Sequence, residues 1–291
     1  MYLKHSTKIV FIDDDPNQLT VLKEIFDNKY ENCEYFSDLK SIGRFIGSYK
    51  FKDEIVSGKS FTEIVHKLND VARSAEKYNQ LSVVIIDYKL SEKTNGLDVL
   101  RKLKSKSVFR ILNTGVADET IAIKAFNLKE IDGFYKKLTD IKILMDLIEN
   151  GINSYFEKRM AEIKSFIEEV GAPEDVFLHH FDRIIKKHKI EEQYLIDDKR
   201  SHLLIDKDRA IYSFLVMPLK SVPDQIDILE GRGLPGVANQ VLGRTKMLYN
   251  NRCFSHVRGM EDLIFPCKVI LGREPYMYNL VRGDVLGLLS C

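Results

Sequence analysis

Hydrophobic positions along the chain follow two patterns that alternate through its first half. Lys8-Ile9-Val10-Phe11-Ile12, Cys33-Glu34-Tyr35-Phe36, Val83-Val84-Ile85-Ile86-Asp87, Phe109-Arg110-Ile111-Leu112-Asn113-Thr114 and Gly133-Phe134-Tyr135-Lys136-Lys137 are short, mostly apolar runs. Runs of this kind, rich in β-branched residues, mark strands covered on both faces, as in a parallel sheet. Between them apolar residues return at helical spacing: Leu19, Leu22, Ile25 and Phe26; Ile64, Leu68, Val71 and Ala75; Leu97, Leu100 and Leu103; Ile121, Ala122, Ala125 and Phe126. Asp15-Pro16 gives the first helix an N-cap and an N1 proline, and Asp118 caps the helix through Phe126. Strand and helix repeated five times predict a doubly wound parallel sheet.

The stretch from Leu39 to Gln80 is too long for one crossover helix and breaks near Ser57-Gly58. It predicts a helix plus an inserted helix, the insertion covering about 43–80. From Asp140 a long amphipathic pattern (Ile141, Leu144, Ile148, Ile152, Tyr155, Met160, Ile163, Ile167, Val170) ends at Gly171-Ala172-Pro173. Its first half predicts the last helix of the sheet domain. The rest is a linker helix or a dimer seam, although Gly151 argues against a strict coiled coil. Beyond it the pattern changes. A helix over Glu174–Lys189 precedes three short apolar runs at Tyr194–Asp198, Leu203–Asp208 and Ile211–Val216, which read as an antiparallel meander. The expected organisation is a first domain over 1–150, a linker helix over 151–172 and an α+β domain over 173–291.

Composition narrows the function. At 291 residues, two domains fit the length. The 44 basic and 43 acidic side chains nearly cancel, so overall charge gives no argument for nucleic acid or membrane. No apolar run is long enough to span a bilayer. Cys33, Cys253, Cys267 and Cys291 are scattered without a CxxC pair, which favours reduced thiols and a cytoplasmic setting. Cys267 sits in an apolar run and is expected in the core.

Chemistry concentrates at the ends of the predicted parallel strands, where open α/β sheets carry their reactive groups. Asp13 and Asp14 follow the first strand, Asp87 ends the third, Thr114 the fourth and Lys137 the fifth. Asp15 is explained by capping, and a strand-end Asp87 could equally serve a turn. Asp13 and Asp14 need more: two like charges 4 Å apart repel by roughly 4 kcal/mol at an effective dielectric of about 20. Carboxylates gathered at one edge suit a hard divalent cation, Mg²⁺ or Mn²⁺. Asp87 could then attack phosphorus, with Lys137 and Thr114 binding phosphoryl oxygens.

These residues resemble the receiver domains of two-component response regulators, which have a flavodoxin-like fold. The resemblance covers about residues 5–150. It rests on Ile12-Asp13-Asp14, on Asp87 with its Asn95-Gly96 loop, on Ile111-Leu112-Asn113-Thr114-Gly115 and on Phe134-Tyr135-Lys136-Lys137. It implies phosphoryl transfer from a sensor histidine kinase or phosphotransfer protein. It also implies a switch pair of Thr114 and Phe134, and a metal ligand in the backbone carbonyl of Lys89. Three features depart from the pattern: Leu138 stands where the family usually has proline, the Asp87–Gly96 loop is one residue longer, and the insertion after the second strand is unusual. The substitution at Leu138 questions the reach of Lys137, with Lys136 as a substitute.

The second half offers weaker signals. His179, His180 and His188 lack a ligand spacing and read as packed or surface residues. Asp206 and Asp208 read as a polar turn, and Gly231-Arg232-Gly233-Leu234-Pro235-Gly236 as a poor match to a phosphate loop. From Gly231 onward eight basic residues face four acidic ones, an excess that suits an anionic partner. The leading expectation is a response regulator whose output domain binds a protein, a small ligand or nucleic acid. The alternative is a signalling enzyme with a catalytic C-terminal domain gated by the receiver.

Overall fold

In the computed structural model, which describes residues 3–48, 60–90, 94–103, 107–115, 119–160, 175–249 and 261–285, the apolar runs pair as expected. A two-residue strand, β1 (Leu3–Lys4), comes first and belongs to a second sheet. There follow β2 (Lys8–Ile12), α1 (Pro16–Phe26), β3 (Cys33–Phe36), α2 (Leu39–Ser48), α3 (Phe61–Arg73), β4 (Leu81–Asp87), α4 (Gly96–Arg101), β5 (Phe109–Thr114), α5 (Glu119–Asn127), β6 (Gly133–Lys136) and α6 (Ile141–Arg159). The parallel sheet has the order β3-β2-β4-β5-β6, the doubly wound arrangement. Register sets Asp87 beside Asn113 and Thr114 beside Lys136, so the polar strand ends lie together at one edge.

Both sheet faces are covered, which is why β4 is buried along its whole length. Val10, Ile12, Val84, Ile86 and Leu112 pack with Leu97 and Leu100 of α4 and with Ala122 and Ala125 of α5. On the other side, Phe11 lies against Phe26 of α1, and α6 packs on β4 and β5. Gly151 makes that close approach possible: a Cβ there would meet the Phe109 ring at 2.8 Å and Val83 at 2.9 Å. Asp15 and Asp140 cap α1 and α6 through their side chains. The helix divided at 150 in the sequence reading continues to Arg159, with Ile152, Tyr155 and Phe156 buried. The expected linker beyond 160, the cap at Asp118 and the break at Ser57-Gly58 lie outside the described residues.

The second sheet is antiparallel. After α6 come α7 (Asp175–His188), β7 (Ile190–Leu195), β8 (His202–Asp206), β9 (Ile211–Pro218), α8 (Val222–Gly231), α9 (Pro235–Leu242), β10 (Lys246–Leu248), β11 (Ile264–Pro266), β12 (Lys268–Ile270) and β13 (Tyr276–Arg282). The expected meander is β7-β8-β9, the centre of a sheet ordered β1-β7-β8-β9-β13-β12, while β10 and β11 form a separate pair. Phe177, Phe181 and Ile184 of α7 pack on Leu204, Phe214 and Val216. The chain divides into two units: the described residues of 6–55 and 75–161 hold the parallel sheet, those of 1–5, 56–74 and 162–291 the antiparallel one. Helix α3, read as an insertion in the first domain, therefore clusters with the second sheet, where it packs on β7.

Several weaker sequence signals resolve here. The glycine-rich segment after Gly231 joins α8 to α9, with Gly233 at φ +74° and Pro235 opening α9, so it lacks the strand a phosphate loop needs. Asp206 accepts hydrogen bonds from the Asp208 and Ala210 amides and from the Tyr212 hydroxyl, as a turn residue does. His180 packs edge-on against Tyr278 and His188 against Tyr212. Cys267 is half-buried between β11 and β12 rather than in the core, because those strands belong to different sheets.

Candidate functional site

Three strand ends deliver acids and an amine to one point. Asp13 follows β2 and is 1% exposed; its Oδ1 accepts from the Asp15 amide at 3.0 Å. Asp87 ends β4 and is 7% exposed. Lys137 follows β6, and its Nζ lies 2.9 Å from Asp13 Oδ2 and 2.9 Å from Asp87 Oδ1. Asp14 is exposed, and each of the three aspartates offers an oxygen within 4.8 Å of the other two. Burial, and then the nearby Asp13 and Asp14, push the Asp87 carboxyl above its ordinary value, against the pull of Lys137. Burial would lower the Lys137 ammonium, but its hydrogen bonds to Asp13 and Asp87 hold it above the usual lysine value. The pocket is thus crowded with negative charge that one ammonium only partly offsets.

Lys136, the alternative amine, points elsewhere and pairs with Glu119 at 3.2 Å. The Lys137–Leu138 peptide is trans, and Leu138 adopts φ +67° with its side chain 98% exposed. Thr114 is fully buried, and its hydroxyl donates to the Gly115 carbonyl at 3.1 Å rather than to Asp87. Phe134 is half-buried against the core of the sheet. Lys89 forms a β-bridge with Asn95, and the Gly96 amide donates to the Tyr88 carbonyl at 2.8 Å, closing the loop beside Asp87. Gly96 is required there, since a Cβ would lie 2.2 Å from the Asp87 carbonyl oxygen. Asn95 caps α4 by accepting from the Asp98 amide. Residues 91–93 of this loop are outside the described residues.

The sequence places Asn113 in a strand and in the Ile111–Gly115 segment but assigns it no role of its own. It is buried beside Asp87 in register, and its Oδ1 has no hydrogen-bond partner among the described residues. A polar residue directly after the apolar pair Ile111-Leu112 was the signal available in the sequence.

No family model matches the chain, and no curated protein matches it. Among solved structures it is similar to the Legionella pneumophila response regulator LqsR, at 22% identity and a TM-score of 0.70, over 98% of this chain and 89% of that one. A response regulator receiver domain protein from Clostridium thermocellum matches at 23% identity, over 51% of this chain and 94% of its own, with a TM-score of 0.34. A CheY-like receiver domain protein from Methanospirillum hungatei matches at 18% identity, over 53% and 98%, with a TM-score of 0.35. Among the described residues no helix is long and apolar enough to cross a membrane. The chain thus shares the fold of LqsR along nearly its whole length, and its parallel-sheet unit has the fold of a response-regulator receiver.

Proposed function

We propose that the parallel-sheet unit is a phosphoacceptor. Asp87 takes a phosphoryl group from a histidine kinase or phosphotransfer protein, and the antiparallel-sheet unit is the regulatory output it switches. The observation that carries this reading is the shared ammonium of Lys137, 2.9 Å from both Asp13 and Asp87. Three carboxylates within 4.8 Å of one another are hard oxygen donors and fit Mg²⁺ or Mn²⁺. Asp13, Asp14 and Asp87 would hold that ion, with the Lys89 carbonyl as a further ligand; when bound it offsets their charge and that of the phosphoryl oxygens.

In this reading an Oδ of Asp87 bonds to phosphorus as the donor's phosphorus–nitrogen bond breaks and its imidazole departs. Lys137 follows the phosphoryl oxygens with its ammonium. The Thr114 hydroxyl leaves the Gly115 carbonyl and donates to a phosphoryl oxygen, and Phe134 moves with it. Charge-assisted hydrogen bonds contribute about 1.5–3 kcal/mol each. Two of them approach the roughly 5.5 kcal/mol that takes a two-state equilibrium from 1:99 to 99:1. The cytoplasm, where such donors present their phosphohistidine, is the proposed compartment. The output acts by binding rather than catalysis.

Intact-mass analysis after incubation with a small acyl-phosphate donor tests the site. One phosphoryl adduct should form on the wild type with Mg²⁺ and disappear with excess chelator or in Asp87→Asn. An adduct retained in Asp87→Asn, or none in the wild type, would refute it.

A further inference from the structure

A cavity of about 380 Å³ lies in the antiparallel-sheet unit, between the β7–β8 loop, the end of β9 and the β12–β13 loop. Its volume falls within the range of small-molecule sites. Lys199, Arg200, Lys220 and Arg273 bring four positive charges to its lining, and Asp198 and Glu274 two negative ones, which leaves +2.

Arg200 shows that this charge is built in rather than scattered. It is 7% exposed, and its backbone takes the left-handed φ of 73° that a non-glycine residue rarely adopts. Its guanidinium lies 5.8 Å from the Phe177 ring centroid and 5.6 Å from that of Tyr276. It also donates to the Tyr276 hydroxyl, which in turn donates to Glu274 at 2.9 Å. Asp197 fixes the same loop by accepting from the Lys199 and Ser201 amides and from the Tyr249 hydroxyl. The Leu219 amide donates to the Pro275 carbonyl at 2.9 Å and ties the other two segments together. Three loops are therefore held around a guanidinium whose position is set before any ligand arrives, which lowers the ordering cost of binding.

We propose that this cavity binds a small organic phosphomonoester. A phosphate dianion matches the surplus of two charges, and its tetrahedral oxygens can meet cations arriving from three separate segments. The cavity is larger than a phosphate group, and Pro218, Pro275 and the Tyr276 ring line the remainder with apolar surface suited to a compact organic body. The inference is independent of phosphorylation at Asp87, since every residue it uses belongs to the other unit.

The test titrates phenyl phosphate into the full-length protein in excess chelator, following backbone amides by NMR. Saturable shifts should centre on residues 198–200, 219–221 and 273–276. Lys220 and Arg273 are exposed, so the double variant Lys220→Ala/Arg273→Ala should fold normally. It should bind on the order of 10- to 100-fold more weakly. Inorganic phosphate should shift the same amides with lower affinity, and benzoate should bind more weakly than phenyl phosphate. The proposal is overturned by unsaturable shifts, by shifts centred on the parallel sheet, by wild-type affinity in the double variant, or by benzoate or inorganic phosphate binding as tightly as phenyl phosphate.

Discussion

Replacing Lys137 by methionine keeps a long side chain and removes the ammonium shared by Asp13 and Asp87. Both carboxylates are nearly buried, and each loses a partner at 2.9 Å. Their ligand oxygens stand within 4.8 Å, where two charges repel by roughly 3–4 kcal/mol at an effective dielectric of about 20. Removing one partner of a buried pair typically costs about 3–5 kcal/mol. The Lys137 side chain is 24% exposed, so solvent screens part of the effect, and the expected loss without divalent cation is about 2–4 kcal/mol. Adding Asp87→Asn removes one of the repelling charges, so the double variant should recover most of the loss, with a coupling energy of at least about 2 kcal/mol. The assay is urea unfolding in chelator, read by hydrogen exchange of peptides from β2 and β4, which reports this unit by itself. Mg²⁺ should then narrow the gap between Lys137→Met and the wild type. A methionine variant within about 0.5 kcal/mol of the wild type, or strictly additive losses in the double variant, would refute the electrostatic argument.

Gly96→Ala sets a Cβ 2.2 Å from the Asp87 carbonyl oxygen, and backbone cannot yield as a side chain can. The expected result is a loss of about 3 kcal/mol on urea unfolding and no phosphoryl adduct by intact mass. Gly151→Ala would crowd Phe109 and Val83 and should destabilise the same unit by about 1–3 kcal/mol, although alanine is the better helix former; higher stability would refute the packing argument. Burial holds the Asp197 carboxyl above its ordinary value despite the Tyr249 and Ser201 hydrogen bonds. Its stabilising contribution is therefore full below the ordinary carboxylate pKa and lost as pH rises through the raised one. Asp197→Asn keeps an acceptor for the two amides and should gain stability relative to the wild type as pH rises, whereas parallel pH profiles from chemical denaturation would contradict this.

The parallel sheet was legible because strands covered on both faces cannot alternate polar and apolar residues. Lys8–Ile12 matches its strand to the residue for that reason, and Cys33–Phe36, a half-buried edge strand, matches its own to the residue as well. The acidic edge was legible because polar residues end those runs. The allegiance of α3 was not: Ile64 and Leu68 announce a buried face without naming the sheet that covers it. β1 was missed because two residues carry no period, and its partner strand β7 lies far along the chain, Leu3 pairing with Tyr194 and Lys4 with Gln193. Gly231–Gly236 only partly resembles an anion-binding loop because glycine ending one helix and proline starting the next use some of the same residues.

Leu138 was the departure that most questioned the site, and the geometry explains why Lys137 still reaches it. The Lys137 amide donates to the Thr114 carbonyl at 2.8 Å, continuing the β5–β6 ladder one residue past the strand. Beyond it the Thr139 hydroxyl donates to the Lys136 carbonyl at 2.7 Å, and the Tyr135 hydroxyl donates to the Thr139 carbonyl at 2.9 Å. Three hydrogen bonds thus clasp the turn around Leu138. A left-handed leucine costs roughly 1–2 kcal/mol, and hydrogen bonds of about 0.5–1.5 kcal/mol each are enough to hold it. Lys137 is therefore aimed by the backbone on both sides of it, and the side chain at 138 faces solvent. The position of the amine depends on Thr114, Tyr135 and Thr139 rather than on the residue that follows it.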